Sequence, residues 1–127
     1  MIKDYLNMII VESSTLIREK IVDELNSFDK IEIIGKVKNN TEFLKLKNKN
    51  EFDIVLMDID LDDGKGIELI KTIRTINKEI KIIIFTNLSG KSYRNLSIEM
   101  GVHSFFDKSG GFEPLINKLK EIEICIS

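Results

Sequence analysis

Asp53-Ile54-Val55-Leu56-Met57-Asp58 is a short apolar run closed by a carboxylate, and a loop of acids and glycines follows at once. An apolar strand has no reason to end in a charge unless that charge sits at its tip, facing water or a ligand. The next residues, Ile59-Asp60-Leu61-Asp62-Asp63-Gly64-Lys65-Gly66, set three more acids and two glycines beside it. Ile67-Glu68-Leu69-Ile70 then opens a helix. A strand, an acidic tip and a helix in succession point to a site at the carboxyl end of a parallel sheet, where open α/β folds bind ligands. Oxygen donors this close together can hold a hard cation such as Mg²⁺.

Outward from this stretch, short apolar runs alternate with helical patterns. Met8-Ile9-Ile10-Val11 reads as a first strand. Ile17, Ile21, Leu25 and Phe28 follow at spacings that mark one helix face, with Ser13 or Ser14 as the cap. From Ile31 to Val37 the pattern alternates, with Ile31, Ile33 and Val37 on one side and Glu32 and Lys36 on the other, as in a half-exposed edge strand. Asn40 is placed to cap a second helix, which takes Phe43, Leu44 and Leu46 and dissolves in Lys47-Asn48-Lys49-Asn50. Ile67, Ile70, Ile73 and Ile76 mark the third helix, and Ile80 to Phe85 is a fully apolar fourth strand. A fourth helix covers about Lys91 to Met100, and Gly101 suits the left-handed residue past its end. Ser104 to Asp107 is a short fifth strand, and Pro114 starts a last helix with the stripe Leu115, Leu119, Ile122.

Five βα units in strict alternation predict an α/β fold: one parallel sheet with helices on both faces. The first, third and fourth strands are apolar throughout, as strands covered on both faces should be. The alternating second and the short fifth fit the edges, which gives the order 2-1-3-4-5. Residues 1–127 are expected to form a single domain.

Composition removes several function classes. With 19 basic and 21 acidic residues the net charge is −2, so nothing marks a nucleic-acid or membrane surface. No apolar run approaches the ~18 residues of a spanning helix, and the N-terminus lacks a signal-peptide stretch. Cys125 is the only cysteine, which excludes an internal disulfide, leaves a buried or idle thiol and makes a cytoplasmic location the default. No nucleotide-binding glycine motif is present, and one histidine, His103, far from one cysteine offers no zinc site. His103 itself reads as a surface or turn residue, and Met57 and Met100 as core.

The topology gathers the strand ends into one crevice. Val11 is followed by Glu12 and Ser13, Met57 by Asp58, Phe85 by Thr86, and Asp107 by Lys108. Two carboxylates, two hydroxyls and an ammonium therefore converge.

On these residues the chain resembles the receiver domains of bacterial two-component response regulators, from roughly Asn7 to Ile122. The Asp53–Asp58 strand, with Gly66 eight residues on, is similar to the family's phosphoacceptor strand and loop. Ile82-Ile83-Ile84-Phe85-Thr86 is similar to its hydroxyl-ended fourth strand, and Gly101 to Ser109 to its lysine strand. The resemblance implies a flavodoxin-like, doubly wound fold and a phosphoryl group accepted on Asp58 from a histidine kinase. It implies Mg²⁺ held by Asp58, by Glu12 and Ser13 and by the Asp60 carbonyl, with Lys108 and Thr86 on the phosphoryl oxygens. Thr86 and Phe105 are the implied switch pair, and a changed surface on the fourth helix, fifth strand and fifth helix is the implied output. An unidentified downstream protein would read it, and a homodimer is compatible with the family. The family ties the lifetime of the phosphorylated state to positions such as Asp60 and Leu88.

The chain departs from the family at four places. Glu12-Ser13 stands where two adjacent acids are usual, and the second is normally a direct metal ligand. Asp62 replaces a common proline and is expected in solvent. Asn87 replaces a small residue and narrows access for water. Phe105 lacks the hydroxyl of the tyrosine often found there, so its switching must be by packing. The resemblance implies a non-enzymatic signalling protein. Two rivals remain at this level: a pseudo-receiver, using the fold as a phosphorylation-independent binding or dimerisation module, and an unrelated flavodoxin-like enzyme or cofactor binder. The second rival needs a phosphate loop after the first strand, where Glu12 repels anions and no glycine allows close approach.

Overall fold

The structure is a computed structural model and describes residues 4–46, 51–88 and 90–126. Its elements are β1 (Leu6–Val11), α1 (Thr15–Leu25), β2 (Ile31–Val37), α2 (Asn40–Leu46), β3 (Ile54–Met57), α3 (Gly66–Ile76), β4 (Lys81–Thr86), α4 (Lys91–Glu99), β5 (Ser104–Asp107) and α5 (Glu113–Ile124). The five strands are parallel in the order β2-β1-β3-β4-β5. Residues 47–50, where the second helix was expected to dissolve, lie outside the described residues.

Two apolar layers cover the sheet. On one face Ile9, Val11, Val55, Met57, Ile82 and Ile84 meet Phe43 of α2 and Leu69, Ile70 and Ile73 of α3. On the other, Met8, Ile10, Ile54, Leu56 and Ile83 meet Ile21 and Leu25 of α1 and Leu115, Leu119 and Ile122 of α5. Each fully buried aliphatic side chain contributes about 1.5–3 kcal/mol relative to exposure. The three central strands are buried along nearly their whole length, whereas β2 is half exposed.

Several local expectations need correction. Val37 does not share a side with Ile31 and Ile33. Met8 pairs with Ile33 but Ile9 pairs with Gly35, so Ile34 is an unmatched residue in β2. Side chains alternate with period two, and one extra residue sends everything after it to the opposite face. Ile31 and Ile33 accordingly lie with the α1/α5 layer and Val37 with the α2/α3 layer. The cap of α2 is Asn39, whose side chain accepts from the Glu42 N–H at 2.9 Å, while Asn40 is the first helical residue and its buried Oδ1 has no partner. Leu44 is exposed and so is Ile76, whereas Leu69, outside the expected stripe of the third helix, is fully buried. Ser14, of the two candidates, caps α1 by accepting from Ile17 N–H at 3.3 Å. Gly101 has the left-handed backbone expected of it, at φ 82°. Cys125 is exposed, so of its two readings the buried thiol falls.

Candidate functional site

Strand register builds the site. Val11, Met57 and Ile84 stand side by side across β1, β3 and β4, and Thr86 pairs with Asp107 across β4 and β5. The next residues along β1 and β3, Glu12 and Asp58, are therefore neighbours, and Lys108 leaves β5 beside Thr86. The backbone continues this order past the strands: Glu12 N–H donates to the Val37 carbonyl and Asp58 N–H to the Val11 carbonyl.

Glu12 and Asp58 are 3% and 4% exposed, so the carboxylate at the strand tip faces protein more than water. The Lys108 ammonium bridges the pair, 2.8 Å from Glu12 Oε1 and 2.6 Å from Asp58 Oδ2. Asp58 Oδ1 accepts from the Thr86 hydroxyl at 2.5 Å and from the Asp60 N–H at 2.9 Å. Glu12 Oε2 accepts from the Ser14 N–H at 3.0 Å, and Arg18 donates to the Glu12 carbonyl at 2.6 Å. Burial raises the Glu12 carboxyl above its ordinary value, and the bonds from Lys108 and Ser14 only partly offset that. Burial also works against the Lys108 charge, yet bonds to Asp58 and Glu12 outweigh it and raise its pKa.

Four of the expected residues thus meet: Glu12, Asp58, Thr86 and Lys108. Ser13 does not join the carboxylates. Its hydroxyl donates to the Lys38 carbonyl at 2.6 Å and accepts from the Asp62 N–H at 2.9 Å, so it fastens the β1–α1, β2–α2 and β3–α3 loops together. Asp62, expected in solvent, is exposed but also accepts from Asn39 Nδ2 at 2.9 Å. Asp63 adds bonds from the Thr41 N–H and hydroxyl. Nothing in residue spacing marks this clasp, because its members lie up to 49 positions apart. Ser13→Ala is expected to cost about 1 kcal/mol, the worth of a net hydrogen bond, measured by urea unfolding. A loss below about 0.3 kcal/mol would show that the clasp is incidental.

Phe105 is buried beside Ile84, and the Arg94 guanidinium of α4 lies over its ring, 4.9 Å from the centroid. Asp107 accepts from the Ser109 N–H and hydroxyl at 2.8 Å. Among the described residues no group of three His, Cys, Asp or Glu side chains forms a ready metal cage. Two buried carboxylates nevertheless share one ammonium. A hard cation would add positive charge beside them, and Mg²⁺ readily completes its shell with water.

The sequence matches the response regulator receiver domain model over residues 8–120. The chain belongs to the response regulator receiver domain family. Members of this family are the receiver domains of two-component systems. A protein-glutamate methylesterase/protein-glutamine glutaminase of Clostridium acetobutylicum is 31% identical over 105 residues, which is 81% of this receiver but 30% of that protein. The response regulator GacA of Pseudomonas aeruginosa is 20% identical, over 92% of this receiver and 55% of GacA. The receiver thus spans only part of the length of these relatives. The response regulatory domain of mrkE from Klebsiella pneumoniae superposes with a TM-score of 0.84 at 21% identity, covering 95% of this receiver and 98% of that chain. A LuxR-family DNA-binding response regulator from Staphylococcus aureus gives 0.82 at 23% identity, over 93% and 98%. Both bear out the doubly wound fold.

The receiver's histidine is at the other end of the sheet, before β5, where it is exposed and its backbone N–H donates to the Ile82 carbonyl at 2.8 Å. Partial burial, then the charges of Lys81 and Lys118, lower its pKa, with Glu121 opposing. A depressed histidine favours the fold above the ordinary value of 6.5 and withdraws that support as pH falls below it. The single imidazole resonance in an NMR titration is expected to turn below 6.5, and a midpoint above it would contradict the assignment.

Proposed function

We propose that this receiver accepts a phosphoryl group on Asp58 from the phosphohistidine of a histidine kinase and signals through the surface that changes with it. The observation that carries this reading is the Lys108 ammonium bridging Glu12 and Asp58 while Thr86 occupies the other Asp58 oxygen. A carboxylate so held is a positioned nucleophile, and in phosphoryl transfer positioning and charge neutralisation are most of the catalysis. An Asp58 oxygen attacks phosphorus, the P–N bond breaks, and the imidazole leaves with the bonding electrons and is protonated. The product is an acyl phosphate, which water later hydrolyses. Lys108 and Thr86, now on the carboxylate, would pass to phosphoryl oxygens, Lys108 as a point charge and Thr86 as a donor.

Glu12, Asp58 and the Asp60 carbonyl are the oxygens that would hold Mg²⁺. When bound, the ion neutralises charge on the transferring group. Ser13, engaged with backbone, leaves the set short of the usual second acid, so the affinity should be low for the family. Phe105 would follow Thr86 by packing, and a partner protein would read the altered face, as a population shift between two states. The reading is of a signalling protein, self-catalysing only its own phosphorylation and dephosphorylation, and places it in the cytoplasm with its kinase. It needs neither nucleic acid nor membrane contact, and no described helix is long and apolar enough to span a membrane.

The test is intact mass after incubation with acetyl phosphate, with and without Mg²⁺, beside Asp58→Asn. A single phosphoryl adduct that needs both Mg²⁺ and Asp58 is the expected result. No adduct in folded wild-type protein would overturn the reading in favour of a phosphorylation-independent binding module.

A further inference from the structure

Two contacts tie α4 to the part of the sheet that surrounds Asp58. The Leu88 N–H donates to Thr86 Oγ1 at 3.1 Å, fastening the loop that leads into the helix. Within α4, the Arg94 guanidinium covers the Phe105 ring. Elsewhere the helix is lightly held. Of its residues only Ser97 is buried, Tyr93, Leu96 and Ile98 are exposed, and its N-terminus has no side-chain cap. Phe105 pairs in register with Ile84, two residues before Thr86, so the ring, Ile84 and the Thr86 side chain share one face of the sheet. That face is the one α4 overlies, since Met100 just past the helix packs into the same layer as Phe105.

A phenylalanine cannot anchor its rotamer with a hydroxyl. Its orientation depends on packing and on the cation above it, and a guanidinium over an aromatic face at an exposed site shifts an equilibrium about two- to fivefold.

We propose that Arg94 is a positioning residue that couples α4 to Phe105, so that the helix follows the ring. The trigger rests on the proposed phosphorylation of Asp58; the coupling itself does not. Thr86 Oγ1 serves both Asp58 and Leu88, so a movement of it toward a phosphoryl oxygen would disturb both bonds. That movement alters the packing beside Ile84 on which Phe105 rests. Arg94 hands the change to α4, whose exposed Tyr93 and Leu96 then shift with it.

Amide hydrogen exchange of Arg94→Gln, Arg94→Lys, Phe105→Leu and the Arg94→Gln/Phe105→Leu double variant tests the coupling. Arg94→Gln is expected to speed α4 exchange about two- to fivefold and leave α1, α3 and α5 unchanged. Arg94→Lys should fall between, because an ammonium keeps the charge but is more strongly hydrated than a guanidinium. In the Phe105→Leu background Arg94→Gln should add nothing. With acetyl phosphate and Mg²⁺, the wild-type change in α4 exchange should shrink in Arg94→Gln. Wild-type exchange in Arg94→Gln, acceleration of every helix alike, or an undiminished effect without the ring would each overturn the proposal. Mass spectra of the same samples keep the two readings apart. A wild-type protein without adduct sinks phosphorylation, and the comparison without acetyl phosphate still decides on Arg94.

Discussion

Lys108→Ala is expected to lower stability by roughly 3 kcal/mol and to slow phosphoryl acceptance about a hundredfold. The Glu12 and Asp58 side chains are 4% and 5% exposed, and Lys108 supplies the positive charge that bridges them. Removing one partner of a buried ion pair leaves uncompensated charge in a poor solvent for it, which costs far more than the net worth of the pair. The same ammonium would neutralise a phosphoryl oxygen, so its loss also strips charge stabilisation from the transfer step. Lys108→Arg separates the two effects. It keeps the charge and should recover much of the stability, while a longer planar fork cannot occupy the same point beside two carboxylates. Urea unfolding and the rate of adduct formation report the two quantities. A Lys108→Ala protein within about 0.5 kcal/mol of wild type would mean that the bridge carries little of the fold's stability.

Gly66→Ala should be comparably damaging for a steric reason. A Cβ at Gly66 would lie 2.0 Å from the Ile59 carbonyl oxygen and 2.7 Å from its carbon. Those are backbone atoms of a buried residue whose carbonyl also accepts from the Leu61 N–H, so they cannot swing aside as a side-chain tip would. Relief requires α3 to move off the loop, at about 3 kcal/mol. The loop carries Asp60, whose N–H holds Asp58, so adduct formation should fall with stability. Gly90→Ala is the control: nothing lies within 4 Å of its added Cβ, and its φ of −55° is ordinary. If Gly66→Ala unfolds at the same urea concentration as Gly90→Ala, the close approach is not real.

Much of the site was legible along the chain because it sits where regular patterns stop. Asp58 and Thr86 each close an apolar run whose interior is dictated by burial, so a polar residue at that place is conspicuous, whereas Lys108 follows Asp107 on a short, mostly half-buried strand and was placed by the strand order. Glu12 was legible for the same reason as Asp58 and Thr86. The role of Ser13 was not. Its partners, the Lys38 carbonyl and the Asp62 amide, are 25 and 49 residues away, and a hydroxyl reads alike whether it faces a cation or a backbone. Arg94 was silent too: a charged residue on an exposed helix looks solvated until the ring of Phe105 is found beneath it. Gly66 could be noticed as a glycine after a loop, but only the path of Ile59 says why no larger residue fits.

By itself the sequence determined the five βα units, the parallel sheet they demand and the ring of strand-end residues. Hydrophobic periodicity is a local property, and the two faces of such a sheet must both be covered. Tertiary structure alone decided which face Val37 takes after the unmatched Ile34, what the Ser13 hydroxyl holds and where α4 is fastened. Each of those depends on register or contact between segments distant in the chain, and a single residue of slip or a few ångströms of approach reverses the outcome.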